Sequence, residues 1–442
     1  MNQSARGWKN DLQVEGEVRP FHRNKEVLGG AFFWLTAFYF FYCARPEDLI
    51  PALNLLPLAK IASGMAILSL FLGAQKIPRK LKDLPKEAWY LLIIIAALFV
   101  SALLSPIWRG GAFGKTVEFS KVWVVWVLTF LLVTSLKRLR RIIFIQVASV
   151  ALICVIALVK GHGVERLNGV IGAAVYSNPN DFAFAIVLSL PFCLAFLLSA
   201  QSKLRKAVWC VAVLIMAVTL MITASRAGFI DLLISGAFTL WFFGIKGKRL
   251  YLIVAAFFFG TVLFLFAGKD LEVRLAGLFN TGDSALQNTA YGSYAERRML
   301  VNRAFDAIAE YPILGVGAGN FIVYSGLWKD VHVTYLEIAA DGGIFVLILF
   351  LMFLYRGFAN LQTMRRTQKL DDETKLFVGA LASSLIGFVV GACFAPEAYQ
   401  LFPYFTVCYT SVLVMLTKEH GLSSVPVSKA ELSPARRFAR AY

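Results

Sequence analysis

Apolar stretches long enough to cross a lipid bilayer recur along this chain from one end to the other, and that recurrence leaves few folds open. A helix crossing ~30 Å of hydrocarbon needs about 20 mostly apolar residues. Hydrophobic residues make up 58% of the 442 and charged residues 16%, a balance that no soluble core of this size needs. The expected fold is an all-α polytopic membrane protein with about 12 transmembrane helices. Polar punctuation places the spans near 27–43, 54–74, 88–105, 118–135, 142–160, 181–200, 206–223, 227–244, 249–267, 335–355, 375–394 and 401–416. The second contains Lys60 and follows Pro51 and Pro57. The tenth begins with Glu337, Asp341, Gly342 and Gly343, so its first turns are not expected to be an ordinary lipid-facing helix.

Cations in short loops resist translocation, and here they alternate loop by loop. Lys76, Arg79, Lys80, Lys82 and Lys86 fill one loop, and Lys137, Arg138, Arg140 and Arg141 the next but one. Lys203, Arg205 and Lys206, then Lys246, Lys248 and Arg249, then Arg365, Arg366 and Lys369 continue the series. These loops and both termini are expected to be cytoplasmic. The chain then divides into a cytoplasmic segment 1–26, a transmembrane domain 27–416 and a basic cytoplasmic tail 417–442. Residues 1–25 carry Arg6, Lys9, Arg19, Arg23 and Lys25, and no A-x-A-like cleavage site follows the first apolar run, so that span is expected to be retained. Dispersal of the +17 net charge into short loops is explained by topology and calls for no nucleic-acid partner. Cys43, Cys154, Cys193, Cys210, Cys393 and Cys408 lie in or at the ends of spans without paired short spacing, as packing residues do.

The opposite face carries two substantial loops, about 161–180 and 268–334, and the turn TASRAG at 223–228. Few cations belong there, yet Arg166, Arg226, Arg274, Arg297, Arg298 and Arg303 all do, together with His332. Each alone reads as a headgroup anchor; together they look like an anion site. Within the larger loop, residues 294–312 read as an amphipathic helix ended by Pro312, with Leu300, Val301, Ala304, Phe305 and Ile308 on one apolar face. At ~100° per residue Arg297 projects onto that face, Arg298 onto its flank and Arg303 onto the far side, so Arg297 is expected to point inward toward an anionic partner, Glu296, Asp306 or a phosphate. Gly315, Gly317 and Gly319 allow close backbone approach, either as a turn back to the membrane or as amides presented to an anion. SNPND at 177–181 reads as the cap of the sixth span, through Asn180 or Asp181. His332 can act as a base near neutral pH, or be an interfacial histidine bonded to backbone. With no second histidine or cysteine near it and no clustered carboxylates, zinc is not expected.

These residues resemble the O-antigen ligase and polymerase superfamily of bacterial envelope glycosyltransferases. The likeness rests on RLNG and NPNDFA within 166–183, TASRAG at 223–228, Arg297 followed by Val301, EYPILGVGAGNF at 310–321 and HVTYLEIAADGGI at 332–344. It implies a metal-independent inverting glycosyltransferase with no cofactor, in the bacterial inner membrane with its site facing the periplasm. The implied donor is a glycan on undecaprenyl diphosphate and the implied acceptor a lipid A core or other glycan. By the same resemblance Arg166, Arg226 and Arg297 hold the donor diphosphate and His332 is the base, with Arg298, Glu337 and Asn180 as supporting candidates. The chain departs from the family at Val333, where a polar residue usually follows the histidine, and at Val301, where Trp or Leu is common. A polymerase or protein O-glycosylating relative shares the donor site and differs at the acceptor. A transporter or flippase would place polar residues midway along broken helices, and only Lys60 and Glu337 point that way.

Overall fold

A computed structural model describes residues 28–53, 55–73, 78–160, 176, 178–223, 225–266, 284–367 and 370–419, and among them there is no strand. The principal helices are α1 Gly29–Ala44, α2 Leu58–Leu72, α3 Lys86–Leu104, α4 Arg109–Leu132, α5 Leu136–Lys160, α6 Pro179–Ser199 and α7 Lys203–Ile222. They continue with α8 Arg226–Leu240, α9 Tyr251–Phe266, α10 Ser284–Glu310, α11 Thr334–Arg366, α12 Asp372–Gly391 and α13 Leu401–Glu419. A helix stands at each of the twelve expected spans. Eight of the described helices are long and apolar enough to cross a membrane, which makes this a multi-pass membrane protein. The others fall short for physical reasons: α1, α2 and the apolar part of α9 are shorter, and α4 carries Lys115, Glu118 and Lys121 in its outer turns. Those charges hid the start of α4, which begins at Arg109 where 118 was expected.

The interior is built on α6, α12 and α13, whose apolar windows are the most buried. α12 packs on α6 and α8, α11 on α3 and α13, and α1 on α2 and α5. α9 shows most of its apolar surface outward, as a lipid-facing helix does. All six cysteines are free, with Cys43, Cys154, Cys193 and Cys408 buried. α13 ends at Glu419, slightly past the expected end of the last span at 416, and the segments 1–27 and 420–442 lie outside the described residues.

The tenth expected span is not one continuous helix. Its backbone turns out of helical geometry at Gly343, with φ 81° and ψ 172°, and the break frees backbone groups that must bond elsewhere. The chain segment after Pro312 supplies them. Val316 and Gly317 donate their amides to the Ala340 and Asp341 carbonyls at 2.8 and 2.9 Å, and Ile344 donates to the Pro312 carbonyl at 2.8 Å. Gly319 and Phe321 donate to the Asp341 carboxylate at 2.7 and 3.1 Å, and Tyr399 Oη adds a third bond at 2.8 Å. The glycine-rich segment does present amides to an anion, but the anion is the chain's own Asp341. Both glycines at the contact are required: a Cβ on Gly343 would lie 2.2 Å from the Ile313 carbonyl oxygen, and one on Gly315, at φ 66°, 2.4 Å from the Asp341 carbonyl carbon.

Candidate functional site

The segment that docks on the broken helix also fixes the position of His332. Leu300, Ala304 and Ala307 of α10 pack with Val316, Phe321, Val331 and Ala340, so one small apolar cluster holds α10, the glycine-rich segment and the strap 325–333 on the start of α11. His332 leaves this cluster half-buried between Val331 and Val333. Its Nδ1 is buried and has no hydrogen-bond partner among the described residues, so it is not bonded to backbone there as an interfacial histidine would be. Burial first, and then the positive charge of Arg297, lower its pKa below the ordinary 6.5; Glu296 opposes them and Lys329 adds to them. A neutral imidazole with a free nitrogen is the form that can take a proton. Val333 is the N-cap of α11 and offers no side-chain cap. The neighbouring loop stands in, because Thr334 donates its amide to the Ala392 carbonyl at 2.8 Å and its hydroxyl to Ala395 at 2.6 Å.

Arg297 and His332, 35 positions apart by number, are therefore brought within electrostatic reach of each other. Arg297 is not buried. The covered face of α10 is centred on Leu300, Ala304 and Ala307, with Val301 and Ile308 at its side and Tyr311 just past its end, while Phe305 is 56% exposed and belongs to the outer face. Arg297 stands in line with the covered row but one turn before the cover begins, so it projects into the open beside the histidine and not into an apolar interface. Arg298 is exposed on the other side, and Arg303 pairs with Asp306 at 4.0 Å. Glu296 binds Lys329 at 2.5 Å, which ties α10 to the strap one position from Asp330 and three from His332. Arg166 lies outside the described residues. Arg226 is the first residue of α8, and its side chain lies outside them too.

Asn180 does not cap the sixth expected span; Asn178 does, its side chain accepting from the Asn180 amide at 2.9 Å, because Pro179 takes the first helical position and fixes the residue before it as the cap. Asn180 accepts from Ser225 Oγ at 2.7 Å, and the same hydroxyl caps α8 by accepting from the Gly228 amide at 3.1 Å. The first turns of α6 and α8 are thus joined at the end of the bundle that carries His332. Glu337 is buried, with Oε2 accepting from the Ala398 amide at 3.2 Å.

Several carboxyls act on one another electrostatically near this end of the bundle. Asp330 acts electrostatically on Asp181 and on Glu337, and Glu397 feels both Asp181 and Glu337. Burial raises the Asp330 carboxyl, with Lys115 pulling the other way, and burial together with those two neighbours pushes Glu397 well above the ordinary range. Asp181, Asp330 and Glu397 are far apart in sequence, and only the burial of a charged residue within NPND hinted at any of them. Among the described residues no three of His, Cys, Asp and Glu are placed to hold a metal ion.

The model of the O-antigen ligase family matches residues 211–351. That stretch runs from within α7 to within α11 and contains Arg226, Arg297 and His332. No curated protein matches the chain.

Proposed function

We propose, because the chain belongs to the O-antigen ligase and polymerase superfamily, that it is a membrane glycosyltransferase moving a glycan from undecaprenyl diphosphate to a lipid-linked acceptor such as a lipid A core. The observation that carries this reading is a half-buried His332 whose Nδ1 has no partner among the described residues and which lies within electrostatic reach of the exposed Arg297. His332 takes the proton from the acceptor hydroxyl as its oxygen attacks the anomeric carbon. The bond from that carbon to the diphosphate oxygen breaks, and undecaprenyl diphosphate leaves with the electron pair. A single displacement inverts the anomeric centre. Arg297, with Arg226 and Arg166, holds the diphosphate, since guanidinium forks bind phosphate oxygens bidentately and meet the charge that develops on the leaving group. Arg298, Asn180 and Glu337 support the site at its edge and floor.

In this reading all twelve apolar helices cross the inner membrane. The basic ends face the cytoplasm, and α10, the strap and the start of α11 face the periplasm. The break in α11 would suit a transporter, but its freed carbonyls are taken by the amides of Val316 and Gly317, which leaves no substrate ligand at the break. A polymerase would use the same donor site on a growing glycan. The lipopolysaccharide pattern of a deletion strain tests the choice. Loss of all long-chain material from lipid A, with glycan accumulating on its lipid carrier, is expected for the ligase. A single repeat unit left on the core means polymerase, and an unchanged pattern removes both.

A further inference from the structure

One large aromatic side chain at the outer end is held outside the packing. Trp328 lies on the strap four residues before His332, is 73% exposed, and its ring makes no stacking, cation–π or hydrogen-bond contact among the described residues. Its backbone is left-handed, at φ 53°, which a bulky L residue rarely adopts. The residues around it are fastened. Ser325, itself 2% exposed, accepts from the Leu327 amide at 3.2 Å and has its hydroxyl 3.5 Å from the Lys329 carbonyl oxygen, while the Lys329 ammonium binds Glu296 of α10 at 2.5 Å. Leu327 and Val331 pack inward on the cluster around Leu300 and Ala304. A backbone fixed on both sides and bent against its residue's preference is a local cost, and its result is an indole turned out of the protein on the strap that carries the candidate base.

An exposed tryptophan at a membrane surface suits either the lipid headgroups or a sugar. Trp108 is of the first kind: 60% exposed, it precedes α4, its ring lies against its own first turn at Gly111, and Ile107 and Phe113 beside it are exposed. Trp328 instead belongs to a strap between the amphipathic α10 and the start of α11, and charged Lys329 and Asp330 follow it. Asp330 has no ion pair within 4.0 Å and no hydrogen bond among the described residues, and a carboxyl bonds a sugar hydroxyl whether or not it carries a proton. Four residues reach at most about 14 Å when extended, so the sugars next to a bond made at His332 come within reach of the indole. The C–H face of a pyranose suits the negative face of an aromatic ring, and its rim of hydroxyls suits Asp330. We propose that Trp328 is a stacking platform for a sugar of the glycan being joined, with Asp330 as its hydrogen-bonding neighbour. This rests on the glycosyltransferase reading. The sugar comes from the donor glycan or from the acceptor core, which present the same chemistry.

The test uses the full chain in lipid nanodiscs. The donors are undecaprenyl diphosphate carrying one hexose or a tetrasaccharide, and the acceptors are lipid A cores ending in one hexose or in a tetrasaccharide. Each substrate is varied with the other held saturating. For one of them the wild type should favour the longer glycan by about tenfold in kcat/KM, as a large aromatic contact contributes. Trp328→Ala should cut that preference to about threefold or less through KM, with kcat changed by less than about threefold, and Trp328→Phe should recover most of it. Whether donor or acceptor responds identifies the source of the sugar. Trp108→Ala should retain the preference. A preference retained in Trp328→Ala, or absent from the wild type, overturns the platform. So does a loss equal for short and long glycans that disappears in detergent micelles, which would make Trp328 a headgroup anchor. If Trp328→Ala fails to fold, Trp328→Gln takes its place. If the wild type transfers nothing, binding of the free tetrasaccharides is compared by thermophoresis. Binding weakened about tenfold in Trp328→Ala then keeps the platform and removes the transferase reading, and equal binding or none overturns both.

Discussion

The two ends of the bundle pair their buried charge to different extents. At the basic end Arg79 is 1% exposed, and its guanidinium is shared out: Nε and Nη2 donate to the two Glu419 carboxylate oxygens at 2.8 and 2.9 Å, and Nη1 to the carbonyls of Phe130 and Val133. Arg356 and Asn360 both donate to Glu87 Oε1, at 3.2 and 3.0 Å, while its buried Oε2 has no partner among the described residues. At the outer end Asp181 Oδ1, Glu397 Oε1, both oxygens of Asp231 and His332 Nδ1 are buried without a partner among the described residues. An unsatisfied buried polar group costs about 1–3 kcal/mol, so a fold shaped for stability alone would have paired them. The basic end fastens helices together, and the outer end leaves more polar atoms without protein partners among the described residues.

The strongest way to break this contrast is to remove the histidine. His332→Ala is expected to abolish transfer while leaving the protein in the membrane and able to bind the lipid-linked donor, because general-base assistance is worth roughly 10² to 10⁴-fold. His332→Arg keeps a cation but cannot accept a proton at working pH, and it should be equally inactive. An active arginine variant would assign His332 to holding the anion. Full activity in the alanine variant would send the search for a base to Glu296 and Glu337.

The opposite outcome is expected at the basic end. Arg79→Ala leaves two buried carbonyls without donors and Glu419 without its fork, and should cost about 2–4 kcal/mol of stability, the lower part of the range for a broken buried pair because Glu419 is itself 31% exposed. Thermal unfolding in detergent measures the loss. Transfer per folded molecule should match the wild type, and a dead but stably folded variant would show that the two ends are not separate in their work.

The sequence exposed the bundle far better than the site. Hydropathy found a helix at each expected span, eight of them long and apolar enough to cross a membrane, because a lipid-crossing helix must be apolar over its whole length, and it stumbled where charge interrupts, as in α4. Glu337, Asp341, Gly342 and Gly343 marked the start of α11 as unusual. What they could not reveal was that Gly315 to Phe321 would close the break, since that contact joins residues distant along the chain. The histidine and Arg297 were legible as residue types out of place on the outer face. The electrostatic coupling of the carboxyls was not, because Asp181, Asp330, Glu337 and Glu397 come from α6, the strap, α11 and the loop before α13. The inward aim of Arg297 failed for a simpler reason. A helical wheel gives direction about the axis but not how far along the axis the neighbouring cover extends.

Two adjacent arginines sharpen the comparison within the outer end itself. Arg297 lies beside His332, whereas Arg298 is exposed on another side of α10. Arg297→Lys keeps the charge and loses the planar fork, and is expected to lower transfer by roughly 10²-fold, as loss of one preorganised donor to a leaving group does. Arg298→Lys should change it by less than about threefold, within the small effect of an exposed charge. Equal tolerance at both positions, with normal expression, would remove the diphosphate role from Arg297.

The smallest expected effect is a displacement of the pH profile, and its sign is fixed by the groups around the histidine. The base works when neutral, so transfer falls as pH drops through the His332 pKa, and burial with Arg297 places that acid limb below the ordinary histidine value. Arg297→Gln removes a charge that holds the pKa down while leaving the larger cause, burial, in place. The acid limb of the residual activity should therefore move to higher pH, by less than about one unit. Lys329 also lowers the pKa, and Lys329→Met should move the limb the same way by less, although losing its bond to Glu296 frees a carboxylate that raises the pKa as well. Glu296→Gln removes the one charge that favours the protonated ring and should move the limb down. Profiles of kcat/KM for the three variants, each scaled to its own maximum, check the signs. A limb that stays fixed in all three would mean that the titrating group is not His332.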